Sequence, residues 1–295
     1  MDRLNSGYLF DAYYYNHGCG RPYERDDKWL SSFREIADQI KTTIKPVTVL
    51  DAGCAMGFLV EGLRHHNIKA WGVDISEYAV QRIHDSVKGF CWVGSITDPF
   101  PQRYDLIVSI EVLEHMHPRE SEKAVINLCN YSDDILFSST PFDYKEATHF
   151  NVQPPEYWAE LFANQGFFRD VDYDASYITP WAVRFRRMQE QLPRITRGYE
   201  RRFWLLRKEN LDLRNLVGEL RNDLADLNRA NMDKNRKIDD ISSGNHEAVL
   251  QSSEYLELMQ ENHQLRQQLE RYVNSRTIRI INRILEIRRK FIAKR

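Results

Sequence analysis

Between Val47 and Arg186, short apolar runs alternate with longer amphipathic stretches. The runs at 47–51 (VTVLD), 69–74 (KAWGVD), 89–94 (GFCWVG), 105–110 (DLIVSI) and 134–139 (DILFSS) are rich in β-branched, leucine and aromatic residues. Each ends at or just before a polar residue or glycine, the pattern of a strand buried on both faces. The stretches 57–66, 77–87, 119–131 and 155–165 carry helical spacing, with Ser76 as an N-cap and Pro118 where a helix can start. This alternation predicts an α/β fold, a parallel sheet covered by helices on both faces. Segment 168–187 adds two strand-like runs with a turn near Asp174, and residues 1–45 read as a helical, aromatic-rich cap.

Beyond residue 190 the pattern changes. Leu206, Leu213, Leu220 and Leu227 fall on successive d positions of a heptad, and Phe203, Asn210, Val217, Leu224 and Asn231 on the a positions. Leucine at d with asparagine among the a residues favours a dimeric coiled coil, because a buried amide pair fixes register. A trimer stays open, as does a single long surface helix. SSGNHE at 242–247 interrupts the repeat, which resumes with Tyr255, Asn262 and Leu269 at a and Leu258, Leu265 and Tyr272 at d. The last stretch, 276–295, holds eight Lys and Arg against one Glu, with Ile280, Ile284, Ile287 and Phe291 at helical spacing. Such a basic amphipathic helix suits an anionic membrane surface, or else a partner protein. The domain reading is a cap over 1–45, a catalytic domain over 46–187, a basic linker over 188–202, a coiled coil over 203–273 interrupted near 242–250, and the basic helix over 274–295.

The 295 residues, 42% hydrophobic and 28% charged, exclude collagen-like and low-complexity classes and fit one large or two smaller domains. No run of about 18 apolar residues is present, and the first residues lack a secretory pattern. Cys19, Cys54, Cys91 and Cys129 show no metal-type pairing, so a reduced, cytoplasmic chain is expected. The net charge of −2 conceals a split: residues 1–180 hold 16 basic and 27 acidic side chains, and residues 181–295 hold 25 and 16. The acidic first part argues against nucleic acid as its partner.

The most informative motif is VLDAGCAMG, Val49 to Gly57, a glycine-containing turn between a predicted strand and a predicted helix. Such a turn lets a ligand approach the backbone and directs helix N–H groups at it. Dinucleotide folds use similar turns, but here Asp51 stands two residues before Gly53 and Ala55 replaces the middle glycine. A carboxylate beside the turn repels a pyrophosphate and welcomes an ammonium or sulfonium. Asp74 closes the next strand, where a carboxylate can accept from a ribose diol. Ser95 and Ile96 follow the third strand, placed for a polar and an apolar contact with a base, and SIEVLEHM (109–116) follows the fourth.

Together these motifs resemble the class I S-adenosylmethionine-dependent methyltransferases over roughly residues 45–185, of the type found with bacterial surface-polysaccharide biosynthesis. The resemblance implies a Rossmann-like seven-stranded sheet ending in an antiparallel hairpin. It places the methionine part of S-adenosylmethionine on Asp51, Gly53, Cys54, Ala55, Gly57 and Phe58, the ribose on Asp74 and Ile75, and the adenine on Ser95 and Ile96. Glu111 also falls on the cofactor side. Ser95 departs from the family, many of whose members have Asp there.

Methyl transfer from a sulfonium is an in-line displacement in which alignment dominates. A hydroxyl acceptor must also lose a proton, to a base or under the influence of a metal. If Glu111–His115 opens a helix, Glu111, Glu114 and His115 share one face, and His149 follows the fifth strand near the same sheet edge. This pattern resembles the magnesium sites of the ubiquinone-biosynthesis O-methyltransferases and the small-RNA 2′-O-methyltransferases, which implies Mg2+ on Glu111, Glu114, His115 and His149. A metal-free base role for His115 or His149 stays equally open, and Tyr13, Tyr14, Tyr15 and Tyr23 either cover the site or pack the cap. The expected function is O-methylation of a sugar or sugar phosphate of a cell-surface glycan. Oligomerisation through the coiled coil and docking on glycan-biosynthesis proteins or the inner membrane face complete this reading. An RNA or small-molecule O-methyltransferase and a non-catalytic scaffold are the alternatives.

Overall fold

The computed structural model describes residues 6–188, 192–242 and 253–273, and the chain divides into two units, Met1–Arg202 and Phe203–Arg295. In the first unit the expected strands form: β1 (Thr48–Ala52), β2 (Lys69–Asp74), β3 (Cys91–Val93), β4 (Leu106–Ile110) and β5 (Asp134–Ser138), with β6 (Phe167–Arg169) and β7 (Val183–Arg187) added. The seven-stranded sheet has the order β3-β2-β1-β4-β5-β7-β6. β1 to β5 pair in parallel, while β7 runs antiparallel to both β5 and β6. This is the Rossmann-like mixed sheet, and its strand order reverses between β1 and β4, where a crevice opens at the carboxyl ends of the strands.

Alternate strand residues feed two cores, as the period of two requires. Leu50, Ile107, Phe137 and Phe185 pack with Trp158 and Phe162 of α7 (Pro155–Ala163) and with Leu128 of α6 (Pro118–Tyr131). Val49, Leu106 and Leu136 face Ile36 and Ala37 of α2 (Asp27–Gln39) and Leu59 and Leu63 of α3 (Phe58–His65). A third cluster joins the cap to the sheet edge: Tyr15 of α1 (Ala12–His17), Leu30, Met56 and Phe58. Tyr15 and Tyr23 of the cap therefore pack as core, with Tyr23 stacked on Phe58 at 5.1 Å between ring centres, while Tyr13 is exposed.

Two local expectations are corrected, and the antiparallel hairpin forms in a shorter version. The helix expected over 77–87 is two helices, α4 (Glu77–Gln81) and α5 (Asp85–Lys88). Ile83 turns into the core between them, and His84 caps the second by accepting from the Ser86 amide. The expected hairpin keeps only short strands. Asp170 and Asp174 accept the amides of Asp172 and Ser176, and these side-chain turns take residues 170–182 out of the ladder. The segment expected as a linker is partly helical, because α8 (Leu192–Ser242) begins inside it.

In the second unit, α8 from Phe203 onward and α9 (Ser253–Val273) meet through polar contacts. Lys234 pairs with Glu261, and Asn262 donates to Asn235 Oδ1 at 3.0 Å. Lys234 lies eight residues before the end of α8 and Glu261 eight residues after the start of α9, the register of an antiparallel pair. Phe203, Leu206 and Leu213 of the heptad are 58%, 52% and 54% exposed. The expected basic helix over 274–295 lies outside the described residues. No described helix is long and apolar enough to cross a membrane.

Candidate active site

The carboxyl ends of β1, β2 and β4 open into one cavity of about 1590 Å3. It gathers most of the residues singled out from the sequence: Asp51, Gly53, Cys54, Ala55, Asp74, Ile75, Ser95, Ile96, Glu111, Glu114, His115 and His149. Gly57 and Phe58 do not line it. Gly57 supplies the left-handed turn (φ 74°) that starts α3, and Phe58 is buried against Tyr23.

The turn after β1 is shaped by backbone constraints. Gly53 (φ 93°) and Cys54 both donate to the Val73 carbonyl, which fastens the turn to β2. Ala55 adopts φ 45°, a left-handed geometry that costs a residue with a Cβ about 1 kcal/mol. Its amide donates to Asp74 Oδ2 at 2.7 Å, and the Ser76 amide donates to Oδ1 at 2.8 Å. Asp74 thus holds the turn in place while keeping lone pairs for a ligand.

Asp51 and Asp74 are buried, at 5% and 8% exposure. Burial, then the charge of Asp74, pushes the Asp51 carboxyl up to about 8, and burial also raises Asp74 despite its two amide donors. No cationic side chain pairs with either among the described residues. At the far edge of the cavity Asn127 donates to the carbonyls of Ile96 and Asp98, which fixes the 95–98 turn. The Ser95 hydroxyl is shared with Thr97 Oγ1 at 2.8 Å.

The residues after β4 depart from expectation. They form no α-helix: Leu113–His115 is a single 3-10 turn, and Glu111 precedes it with φ 52°. The helical face expected for Glu111, Glu114 and His115 is therefore corrected. Glu111 turns away and accepts from Trp181 Nε1 at 3.0 Å, linking the β6–β7 loop to the end of β4. Glu114 points inward and is fully buried. The Thr140 amide donates to its Oε1, and Oε2 has no partner. Burial, then the charge of Glu111, raises the Glu114 carboxyl well above the usual range.

Glu114, His115 and His149 nevertheless come together, each offering a ligand atom within 4.8 Å of the others. The His115 and His149 rings meet edge to face at 4.6 Å. Burial, then the neighbouring His149, pushes His115 down to about 4, so its imidazole is neutral at physiological pH. The cavity is also lined by residues the sequence did not single out for the site: Phe10, Phe142, Phe150 and Trp181, with Lys123 and Glu120 of α6. Their signal was absent because aromatic residues in loops read equally well as core. Tyr14, read from sequence as lid or packing, places its hydroxyl 3.3 Å from His115 Nε2.

Residues 23–168 match the family described as Methyltransferase domain. Among curated proteins, the ubiquinone biosynthesis O-methyltransferase of Azoarcus sp. (strain BH72) is 30% identical over 122 residues, 38% of this chain and 52% of that protein. The protein of the same name from Coxiella burnetii (strain Dugway 5J108-111) is 28% identical over 148 residues, 48% of this chain and 63% of that protein. The chain thus spans between half and two thirds of the length of these two relatives. Among solved structures, magnesium protoporphyrin IX methyltransferase from Synechocystis PCC 6803 superposes with a TM-score of 0.48 at 16% identity, covering 64% of this chain and 100% of that one. Over residues 23–168, just under half of its length, the chain is thus similar to the methyltransferase domain family.

Proposed function

We propose that the chain transfers the methyl group of S-adenosylmethionine to a hydroxyl oxygen. One observation carries the reading: two buried acids end adjacent parallel strands and face a single cavity with a neutral imidazole. A buried carboxylate without a counter-charge is costly, and a ligand that brings a cation and a diol removes that cost. The ammonium and sulfonium of S-adenosylmethionine suit Asp51 and the turn, its ribose suits Asp74, and its adenine suits Ser95 and Ile96. The relatives named above as O-methyltransferases support oxygen as the acceptor.

The acceptor proton leaves at the other side of the cavity. An imidazole pushed to about 4 is unprotonated but weakly basic. It serves best as a ligand, or as proton acceptor for a hydroxyl already acidified. The buried Glu114 with its unpartnered Oε2 fits a cation, so Glu114, His115 and His149 would hold a divalent ion. That ion would lower the pKa of the acceptor hydroxyl. Two imidazoles and one carboxylate suit manganese or zinc better than magnesium, which prefers oxygen.

The acceptor we propose is a sugar or sugar-phosphate hydroxyl of a cell-surface glycan. The aromatic faces of Phe142 and Trp181 support a stacked ring, and Lys123 at the rim supports a phosphate. A phenolic acceptor is the second reading, favoured by the name of the curated relatives. Titrating the full chain with S-adenosylmethionine in a calorimeter is expected to give saturable binding. Tritiated methyl donor incubated with lipid-linked glycan fractions is expected to label carbohydrate, with loss on chelation and recovery with manganese. No binding at millimolar donor overturns the methyl-transfer reading. Label appearing only in added catechols overturns the glycan reading.

The exposed stripe Phe203, Leu206, Leu213 and Leu216 supports self-association through α8 as a homodimer or homotrimer. The buried, unpartnered Asn231 Oδ1 at an a position suits an amide pair with a second copy. Sedimentation velocity is expected to show an oligomer that Leu206→Glu with Leu213→Glu converts to monomer. A wild-type monomer at 50 μM, on the order of a weak dimer's Kd, rejects it. Peripheral attachment at the inner membrane face, through residues 274–295, belongs to the same proposal.

A further inference from the structure

His115 lies where three segments meet: the turn after β4, the loop after β5, and α1. Its two ring nitrogens are held by different chemistry. Nδ1 lies 3.2 Å from the Thr148 carbonyl oxygen and 2.9 Å from Thr148 Oγ1. A carbonyl can only accept, and the Thr148 hydroxyl already donates to Glu146 Oε1 at 3.0 Å. Nδ1 therefore carries the ring hydrogen and donates to Thr148. Nε2 then keeps its lone pair and can only accept, and the Tyr14 hydroxyl stands 3.3 Å from it as the donor in reach. Glu146 also accepts the Thr148 amide at 3.1 Å, so one carboxylate fixes both the loop and the direction of the hydroxyl.

We propose that Thr148 and Glu146 are positioning residues that hold His115 in its Nδ1–H form, so that Nε2 keeps its lone pair, held by the Tyr14 hydroxyl until a ligand in the cavity takes its place. Neither residue lines the cavity, so both act through the imidazole. The arrangement serves either use of the ring. A base needs an unprotonated nitrogen toward the acceptor, and a metal-binding imidazole needs its far N–H held by a fixed acceptor. The functional meaning of the tautomer rests on the methyl-transfer reading, whereas the tautomer itself is measurable without any substrate.

The test uses the full chain labelled with nitrogen-15 in histidine, with His115 assigned by the signals missing from a His115→Asn variant. At neutral pH the protonated nitrogen of His115 is expected to be Nδ1. Thr148→Val removes the hydroxyl and leaves the carbonyl. The ratio of Nδ1–H to Nε2–H is expected to fall about tenfold, which corresponds to one hydrogen bond of about 1.4 kcal/mol. Glu146→Ala frees the Thr148 hydrogen to donate to Nδ1 and is expected to move the ratio the same way. Thr148→Ser is expected to restore it to within about twofold. An Nε2–H form in the wild type, or an unmoved ratio in a Thr148→Val protein that melts like the wild type, overturns the proposal. So does a serine variant that fails to rescue. Calorimetry with S-adenosylmethionine on the same samples separates the two readings, since a wild type that binds no donor removes the methyl-transfer reading and leaves the tautomer result standing.

Discussion

Asp51→Asn is expected to raise the melting temperature of the ligand-free protein at pH 8 while weakening S-adenosylmethionine binding about ten- to hundredfold. The stability effect follows from linkage. The Asp51 carboxyl is pushed up to about 8 in the fold, against about 4 in an unfolded chain. The folded state therefore binds more protons than the unfolded state between these values, and stability falls as pH rises through that window. Below about pH 4 the acid is protonated in both states and the penalty vanishes. Asparagine keeps the shape of the neutral acid and removes the penalty, which is about 2–4 kcal/mol at pH 8 after local relaxation. For a unit of this size that is on the order of 5–10 °C. The two melting temperatures are expected to converge as the pH falls to 4. Binding runs the other way, because a cationic ligand selects the ionised acid. Donor affinity is expected to rise about tenfold per pH unit between pH 6 and 8, with proton release detected by calorimetry in buffers of different ionisation enthalpy. An asparagine variant that binds the donor as the wild type does would remove Asp51 from the cofactor site.

The two halves of the cavity differ in how far the sequence disclosed them. The cofactor side was legible because its chemistry sits at strand ends, and strand ends follow from apolar runs. Once β1 and β2 are placed in parallel, Asp51 and Asp74 fall at the same carboxyl edge of the sheet, Asp51 opposite Gly72 and Asp74 two residues further on. The acceptor side was legible only in part. His149 was found as a titratable residue near that edge, and it does reach His115. Glu111 was misplaced because the i, i+3, i+4 argument presumes a helix. The chain instead takes a left-handed backbone at Glu111 and a single 3-10 turn. Tyr14, Trp181 and Thr148 arrive from segments distant in sequence, through loops whose course no local periodicity encodes. The second unit shows the same limit. The heptad marked two helical segments, but the pairing of Asn262 with Asn235 across them follows from no local periodicity.

The turn itself supplies the most severe test of the cofactor side. Gly53→Ala is expected to reduce S-adenosylmethionine affinity more than hundredfold and to lower the melting temperature, through two separable costs. The first is conformational, since Gly53 sits at φ 93°, where a residue with a Cβ is strained by about 1–2 kcal/mol. The second is steric. A Cβ at Gly53 would lie 2.3 Å from Val112 Cγ2 and 3.0 Å from Cγ1. Valine is stiff at χ1 and cannot swing aside, so overpacking adds about 1–3 kcal/mol. Ala55 shows that the conformational cost alone is tolerated in this turn, since it holds φ 45° with its amide bonded to Asp74. Pairing Gly53→Ala with Val112→Ala removes the steric part and leaves the strain. The double variant is expected to recover about half of the lost stability, and a double-mutant cycle measures the coupling. Full recovery would mean that strain contributes nothing. No recovery would mean that Val112 is not what the glycine makes room for, and that the turn needs its glycine for backbone geometry alone.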